Sequence, residues 1–512
     1  MRCLLPKALL GGSLILLLLG LSSTPAYAHG FGQRYDLPVP LWLYVAGAGA
    51  AVALSFVVIG LFVGGRSSAD AYPRFNLLRW PWGRALLHRA LVLPLQVLAV
   101  ALFLLVILTG FFGDQDSTNN LAPTMIWVIW WVGIAYTSAL IGNVWALVNP
   151  WKIIFGWAEA LYKWLNPEGD LSMRKSYPAG LGVWPALLLF LAFAWAEIVF
   201  TNSAVPASIA RMAVVYSIIT WSGMAIFGRE QWLRHGEAFS LAFGFFARFA
   251  PTELRVTDHQ VCDACSVECR DKDGHCISCS DCLSRANGKQ RELNLRPFAV
   301  GLLGNEAITP SMVAFVVLLL STVTFDGFTA TLLWADIHSP LASAFSNDTA
   351  ASTFGLLVFP LIFVGVYLGF MALMAITSGN RIPVGGFAPA FVFSLVPIAL
   401  AYHLAHFLSF LLVQGQLIIP LASDPFGAGW DLIGTVDYRV NIAIINARIA
   451  WFIAVGTIVI GHIVSVYLAH IIALRTLKER RLALRSQYPM LGLMVGYTML
   501  SLWILAQPIV ET

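Results

Sequence analysis

Charge is scarce in this chain. Of 512 residues only 11% are Asp, Glu, Lys or Arg, while 58% are hydrophobic. No soluble fold buries that share of apolar side chains, so a water-soluble enzyme or binding module is excluded and the class is integral membrane. Cysteine is absent outside two places: Cys3 near the start and six residues between Cys262 and Cys282. No internal repeat and no low-complexity tract is visible. Extended polar sequence is confined to one stretch, Gly228 to Pro297. The net charge of +4 is no sign of a nucleic-acid partner, because the placement of the basic residues accounts for it.

What is present is a series of long apolar runs. The first reads as a signal peptide over 1–28, with Arg2 and Lys7, an apolar core from Ala8 to Leu21, and the small-residue site Ala26-Tyr27-Ala28. Ten spanning helices are predicted, at 40–64, 91–113, 125–148, 181–201, 208–227, 311–330, 353–378, 387–412, 449–474 and 489–508, each near the ~20 residues that cross the hydrocarbon. This gives an all-α integral membrane fold in four parts: the signal, a five-helix half over 29–227, a segment over 228–297 with a Cys-rich metal motif, and a second five-helix half over 298–512. Signal cleavage places the mature N-terminus outside. The alternate loops that parity then puts inside hold 25 of the mature Lys and Arg residues, leaving only Arg34, Arg211, Arg439 and Arg448 elsewhere. The positive-inside rule is obeyed at every loop, which predicts a multi-pass protein of a bacterial inner membrane with the Cys-rich segment in the cytoplasm. Ile153 to Leu165 and Ala238 to Ala250 are too short to span and read as helices lying on the membrane surface.

The cysteines run Cys262, Cys265, Cys269, Cys276, Cys279 and Cys282, a C-x2-C-x3-C-x6-C-x2-C-x2-C spacing. In a reducing compartment such spacing points to a metal rather than to disulfides. Cys276, Cys279 and Cys282 look like the first three ligands of a [4Fe–4S] motif, which then wants a Cys and a Pro where this chain has Ala286 and Asn287. Zinc held by four of the six is the other reading. His259 and His275 flank the cluster and read as solvent-exposed.

Ionisable residues inside spans are functional candidates, because an unpaired polar group in hydrocarbon is costly. His403 and His406 sit three apart, so on a helix they project about 60° from each other, one turn apart. Depth counted at ~1.5 Å per residue gathers Glu197, Arg211, Asp326, His403 and His406 in the outer half, with His462 near the midplane. Two histidines plus a carboxylate is a common set for a divalent metal with open positions, with Asp326 or His462 completing it. Glu197 is a candidate base, unless matched depth on neighbouring helices pairs it with Arg211 as a structural ion pair. Asp326, before Gly327, is open to a cap or interfacial role. His470 reads as interfacial. Cleavage would leave His29 first, so that its amine and imidazole resemble a copper-binding histidine brace, with His338 the one other histidine in an outer loop.

Several stretches resemble bacterial polytopic membrane proteins described as fenitrothion hydrolases: AHGFGQRYDLPVPLWLY from Ala28, NLAPTMIWVIWWVG from Asn120, NVWALVNPW from Asn143 and RPFAVGLL from Arg296. The resemblance covers most of the chain. It implies hydrolysis of the P–O–aryl bond of a lipophilic organophosphorus triester, and it brings no agreed catalytic residues. In that reading Glu197 and Asp326 serve catalysis, while His403, His406 and His462 hold a metal that polarises the phosphoryl oxygen. The residues alone leave two alternatives. One is electron transfer from an Fe–S cluster to a haem between His403 or His406 and His462, with a redox partner or second subunit, although the thirteen- or fourteen-residue histidine spacing of a two-haem cytochrome b is absent. The other is ion or metal transport through the polar layer, for which no broken helix pair in matching halves is evident.

Overall fold

The computed structural model describes residues 35–63, 72–86, 88–262, 275–277, 280–288, 290–304, 307–477 and 479–510. The predicted signal segment 1–28, His29, Cys265, Cys269 and Cys279 lie outside the described residues, and of Cys262 only the backbone is described. The chain is an all-α polytopic membrane protein. Its longer helices are α1 (Leu41–Phe62), α2 (Arg89–Phe112), α3 (Leu121–Leu140), α4 (Pro150–Leu165), α5 (Trp184–Ile198), α6 (Pro206–Phe227), α7 (Ala238–Phe249), α8 (Pro310–Thr329), α9 (Leu332–Phe345), α10 (Asp348–Thr377), α11 (Val396–Gln414), α12 (Ala447–Leu477) and α13 (Arg480–Ala506). Among the described residues ten segments are long and apolar enough to cross a membrane, and these are all but α4, α7 and α9. They match the ten apolar runs in the sequence. The span around α8 and the span Val384–Ser423, which contains α11, are each 72% buried, against 17–50% for the others, so these two form the centre of the bundle.

The backbone departs from a plain α-helix in α3 and in the span that contains α11. Within α3, Thr124–Gly133 is wound as a π-helix. In Val384–Ser423 the helix tightens to a 3-10 turn at Val392–Leu395. Pro397 lacks the N–H that would bond the Phe393 carbonyl, so the regular ladder cannot continue through this point. The Ser465 hydroxyl donates to the Ser394 carbonyl, which satisfies irregular backbone inside the bundle. Helix α12 then closes on α11 through Gly461: a Cβ there would lie 2.3 Å from the Ala401 Cβ and 2.9 Å from the Pro397 carbonyl oxygen. Only glycine permits that approach.

Two short segments differ from their sequence reading. Ala238–Phe249 is not a surface helix. Ala238, Phe239, Leu241, Ala242, Phe243, Phe245, Phe246 and Ala247 are all buried in the main core, among rings of α3, α5 and α11. Its N-terminus is capped by the buried Glu237, which accepts from Phe239 N at 2.9 Å and Ser240 N at 2.8 Å and from the Asn149 amide at 3.2 Å. Helix α9 was not anticipated: it is amphipathic, with no buried residue and with Leu332, Leu333, Ile337 and Phe345 exposed. By contrast α4 buries its first turns and leaves Trp157, Leu161, Trp164 and Leu165 exposed, as a helix at a lipid interface does.

Beyond α7 the polar segment supplies β2 (Thr252–Val256), β3 (Cys276–Ile277) and β4 (Arg291–Leu295), which form a small antiparallel sheet with β1 (Phe75–Asn76) from between α1 and α2, in the order β1-β4-β2-β3. Phe75 faces Leu295, Glu253 faces Asn294 and Val256 faces Cys276. The sheet is tied to the bundle by one buried carboxylate. Glu253 accepts from Arg74 Nε at 2.6 Å, from Arg296 at 2.7 Å and from the Tyr72 hydroxyl at 2.9 Å. Arg296 also donates to the carbonyls of Ala250 and Arg248, at the end of α7. Burial and then the neighbouring Glu253 carboxylate raise the Tyr72 phenol above its usual pKa.

Candidate functional site

Helices α8 and α11 meet at a bond between ionisable groups. His406 Nε2 lies 2.8 Å from Asp326 Oδ2. The Asp326 side chain keeps 22% exposure, while that of His406 keeps 6%. A small cavity of about 20 Å³ opens beside this pair, lined by Glu197 of α5, Asp326 and Thr322 of α8, His403 of α11, and the apolar walls Trp131, Phe246 and Phe407. Space of that size holds a water, which needs only ~10–15 Å³ by the same measure.

His403 is the unusual member. It is 2% exposed, and its Nε2 has no hydrogen-bond partner. Its ring stands edge-on to Trp131 at 5.3 Å and lies 5.9 Å from Phe246 and 4.7 Å from Phe407. An unsatisfied buried nitrogen costs roughly 1–3 kcal/mol, so its retention asks for an explanation. The Trp131 indole opens on the same cavity, beside the Glu197 carboxyl group. Local structure fixes both rings. Trp131 falls within the π-helical stretch, and Tyr136, further along α3, anchors α11 by donating to the Leu404 carbonyl next to His403.

The structure thus brings Glu197, Asp326, His403 and His406 together. Several sequence readings fall elsewhere. Arg211 does not pair with Glu197; its guanidinium turns back on its own helix, to the Ala207 carbonyl at 3.0 Å and the Ser208 hydroxyl at 3.3 Å. Asp326 lies in the last turn of α8, and its carboxylate is engaged by His406. His462 is fully buried, with Nδ1 on the Ile458 carbonyl at 2.8 Å and its ring 5.8 Å from Tyr497 of α13, and it does not line the cavity. His470 is no interfacial residue: it is buried, 3.0 Å from Gln487 Oε1 and 3.2 Å from the Val63 carbonyl, clamping α12 to α13 and α1. His338 contacts Ser352 at 3.1 Å. His275 is half-buried against Arg255, and the side chain of His259 is not described. Trp131 and Phe246 were missed, because aromatic residues in an apolar span carry no signal of their own at the sequence level.

Among the described residues no three His, Cys, Asp or Glu side chains are placed to hold one metal ion. The rings of His403 and His462 pack against different neighbours, the first on α3, α7 and α11 and the second on α13. The donor set suits a water molecule and a proton: one imidazole nitrogen without a partner, two carboxyl groups, and a second imidazole that holds one of them. The chain matches no protein-family model, no curated protein and no solved structure.

Proposed function

We propose that this cavity is a water-activating acid–base centre inside the membrane, and that the protein hydrolyses the P–O–aryl bond of lipophilic phosphotriesters. The observation that carries the chemistry is the unpartnered His403 Nε2 in a water-sized cavity that also holds Glu197 and the His406-anchored Asp326. The substrate class rests on the sequence resemblance. A water in the cavity gives a proton to His403 Nε2 while its oxygen attacks phosphorus. The P–O–aryl bond breaks, and the aryloxide leaves and takes up the proton. Glu197 and Asp326 orient the water, and His406 positions Asp326. Phosphotriesters partition into lipid, so the substrate reaches the half-exposed Asp326 side of the cavity from the bilayer. With the basic loops inside, the centre lies in the outer half of a bacterial inner membrane.

Ion or metal transport is the second reading, favoured by the size of the cavity, which suits a water or a small cation. Purified protein in liposomes separates the two. With a nitroaryl phosphotriester, wild type should release nitrophenolate well above protein-free liposomes, and His403→Ala should fall ~10²–10⁴-fold, the range of general acid–base catalysis. No release by wild type, or an undiminished His403→Ala, overturns the hydrolase reading. Flux of protons or a divalent cation into the same liposomes, without hydrolysis, establishes the second.

A further inference from the structure

Away from the cavity, one histidine has a set of contacts that fixes its proton count. His470 of α12 is fully buried, and each of its ring nitrogens meets an oxygen. Nδ1 lies 3.0 Å from Gln487 Oε1 of α13, and Nε2 lies 3.2 Å from the Val63 carbonyl just past α1. A peptide carbonyl can only accept. The Gln487 amide is oriented by its other half: Nε2 donates to the Ala483 carbonyl at 2.6 Å, where a turned amide would set oxygen against oxygen. Both partners of His470 are therefore acceptors. A neutral imidazole has one N–H and would leave a bare nitrogen facing an oxygen, whereas the imidazolium donates at both nitrogens. We infer that His470 is a proton-binding site, an imidazolium whose two donated bonds fasten α1 to α12 and α13.

The surroundings agree. The last carbonyls of a helix have no partner within it and carry partial negative charge, which a cation stabilises. Arg480 of α13 donates to the Gly60 carbonyl at 3.0 Å, so the end of α1 takes one cation there and His470 supplies a second. The other charged groups on these elements turn away. Glu479, Arg481 and Arg485 are exposed, and Arg475 donates to the Leu303 carbonyl. Tyr488 packs its ring on Phe56 of α1, and Tyr44, the one titratable side chain of α1, lies at the far end of that helix against Trp451. The stretch Val384–Leu395, packed on α12, has no ionisable side chain. Losing one proton removes one of the two bonds, so the clamp is complete in acid and weakens as pH rises. The cavity is lined from α3, α5, α7, α8 and α11, so this site stands whether or not the cavity is hydrolytic.

Nitrogen-15 NMR of the full chain with labelled histidine reads the proton count directly. In mild acid the wild type should show an imidazolium signal, with both nitrogens protonated, that is lost in His470→Gln. A difference spectrum holding one bare and one protonated nitrogen overturns the inference. Thermal denaturation of the same two proteins reads the clamp: from mild acid to mild alkali the wild type should lose stability by more than the variant does, and an equal loss in both overturns it. If His470→Gln fails to accumulate, Gln487→Glu answers the same question. A carboxylate acceptor should carry the stability of the clamp to higher pH than in wild type, and an unchanged profile overturns the assignment.

Discussion

His406 and Asp326 act as one unit if the bond between them is what holds Asp326 on the cavity. Replacing His406 by Gln, or Asp326 by Asn, removes the same 2.8 Å charge-assisted contact. Such a bond is worth ~1.5–3 kcal/mol, and each 1.36 kcal/mol is tenfold in rate. Each single variant should therefore lose about ten- to 150-fold in kcat/KM for a nitroaryl triester, with Asp326→Asn at the larger end because Asp326 also lines the cavity. The double variant should lose little more than Asp326→Asn alone, since the contact is already gone. The assay is nitrophenolate release in liposomes, with thermal denaturation of the same four proteins as a readout that needs no substrate. Losses that simply multiply in both assays would show that the two residues act independently, and the positioning role of His406 would be refuted.

Three further outcomes follow from the packing and the loops. Gly461→Ala should destabilise the bundle by ~1–3 kcal/mol through the Ala401 and Pro397 contacts, whereas Gly456→Ala on the same helix, with nothing within 4 Å of the new methyl, should be neutral or slightly stabilising in thermal denaturation. Glu253→Gln removes one partner of a buried ion network and should cost ~3–5 kcal/mol, seen as faster proteolysis within 252–295 while the spans stay protected. Asp424 raises a pH test. Burial alone would raise its pKa, but donation from Ala428, Gly429 and Trp430 N–H groups outweighs this and lowers it below the usual carboxylate value. Its stabilisation of loop 424–446 is thus complete above the ordinary carboxylate pKa near 4 and fades as pH falls through the depressed value. Asp424→Asn should make that loop more protease-sensitive than wild type at neutral pH, and the difference should shrink in acid; a constant difference down to the lowest pH would refute it.

Hydropathy alone located the ten spans, because crossing hydrocarbon demands a length and a composition that any window can count. Depth along each helix was also legible, which is why Asp326, His403, His406 and Glu197 were grouped. Rotation about each helix axis was not. Arg211 and His462 lie at suitable depths but turn toward their own helix and toward α13, and a side chain's azimuth depends on packing between helices far apart in sequence. The same limit explains α7. Twelve Phe-rich residues are too short to span, so surface placement was the economical reading; a helix with only Ser240 and Arg248 as polar residues has no wet face, and this was the signal available. The ring box around His403 depends on three helices meeting and left no trace in composition.

The π-helical turns of Thr124–Gly133 have a consequence for how this protein can vary. A π-helix holds more residues per turn than an α-helix, so deleting a single residue there would let the segment relax into ordinary α geometry. That tightening takes up the missing residue, so the flanks keep their faces and Tyr136 its grip on α11, whereas a deletion in an ordinary α-helical span turns one flank by about 100°. Single substitutions in this stretch adjust one surface at a time, and its wide turns give the wall of the cavity a tolerance to the loss of one codon that the regular spans lack.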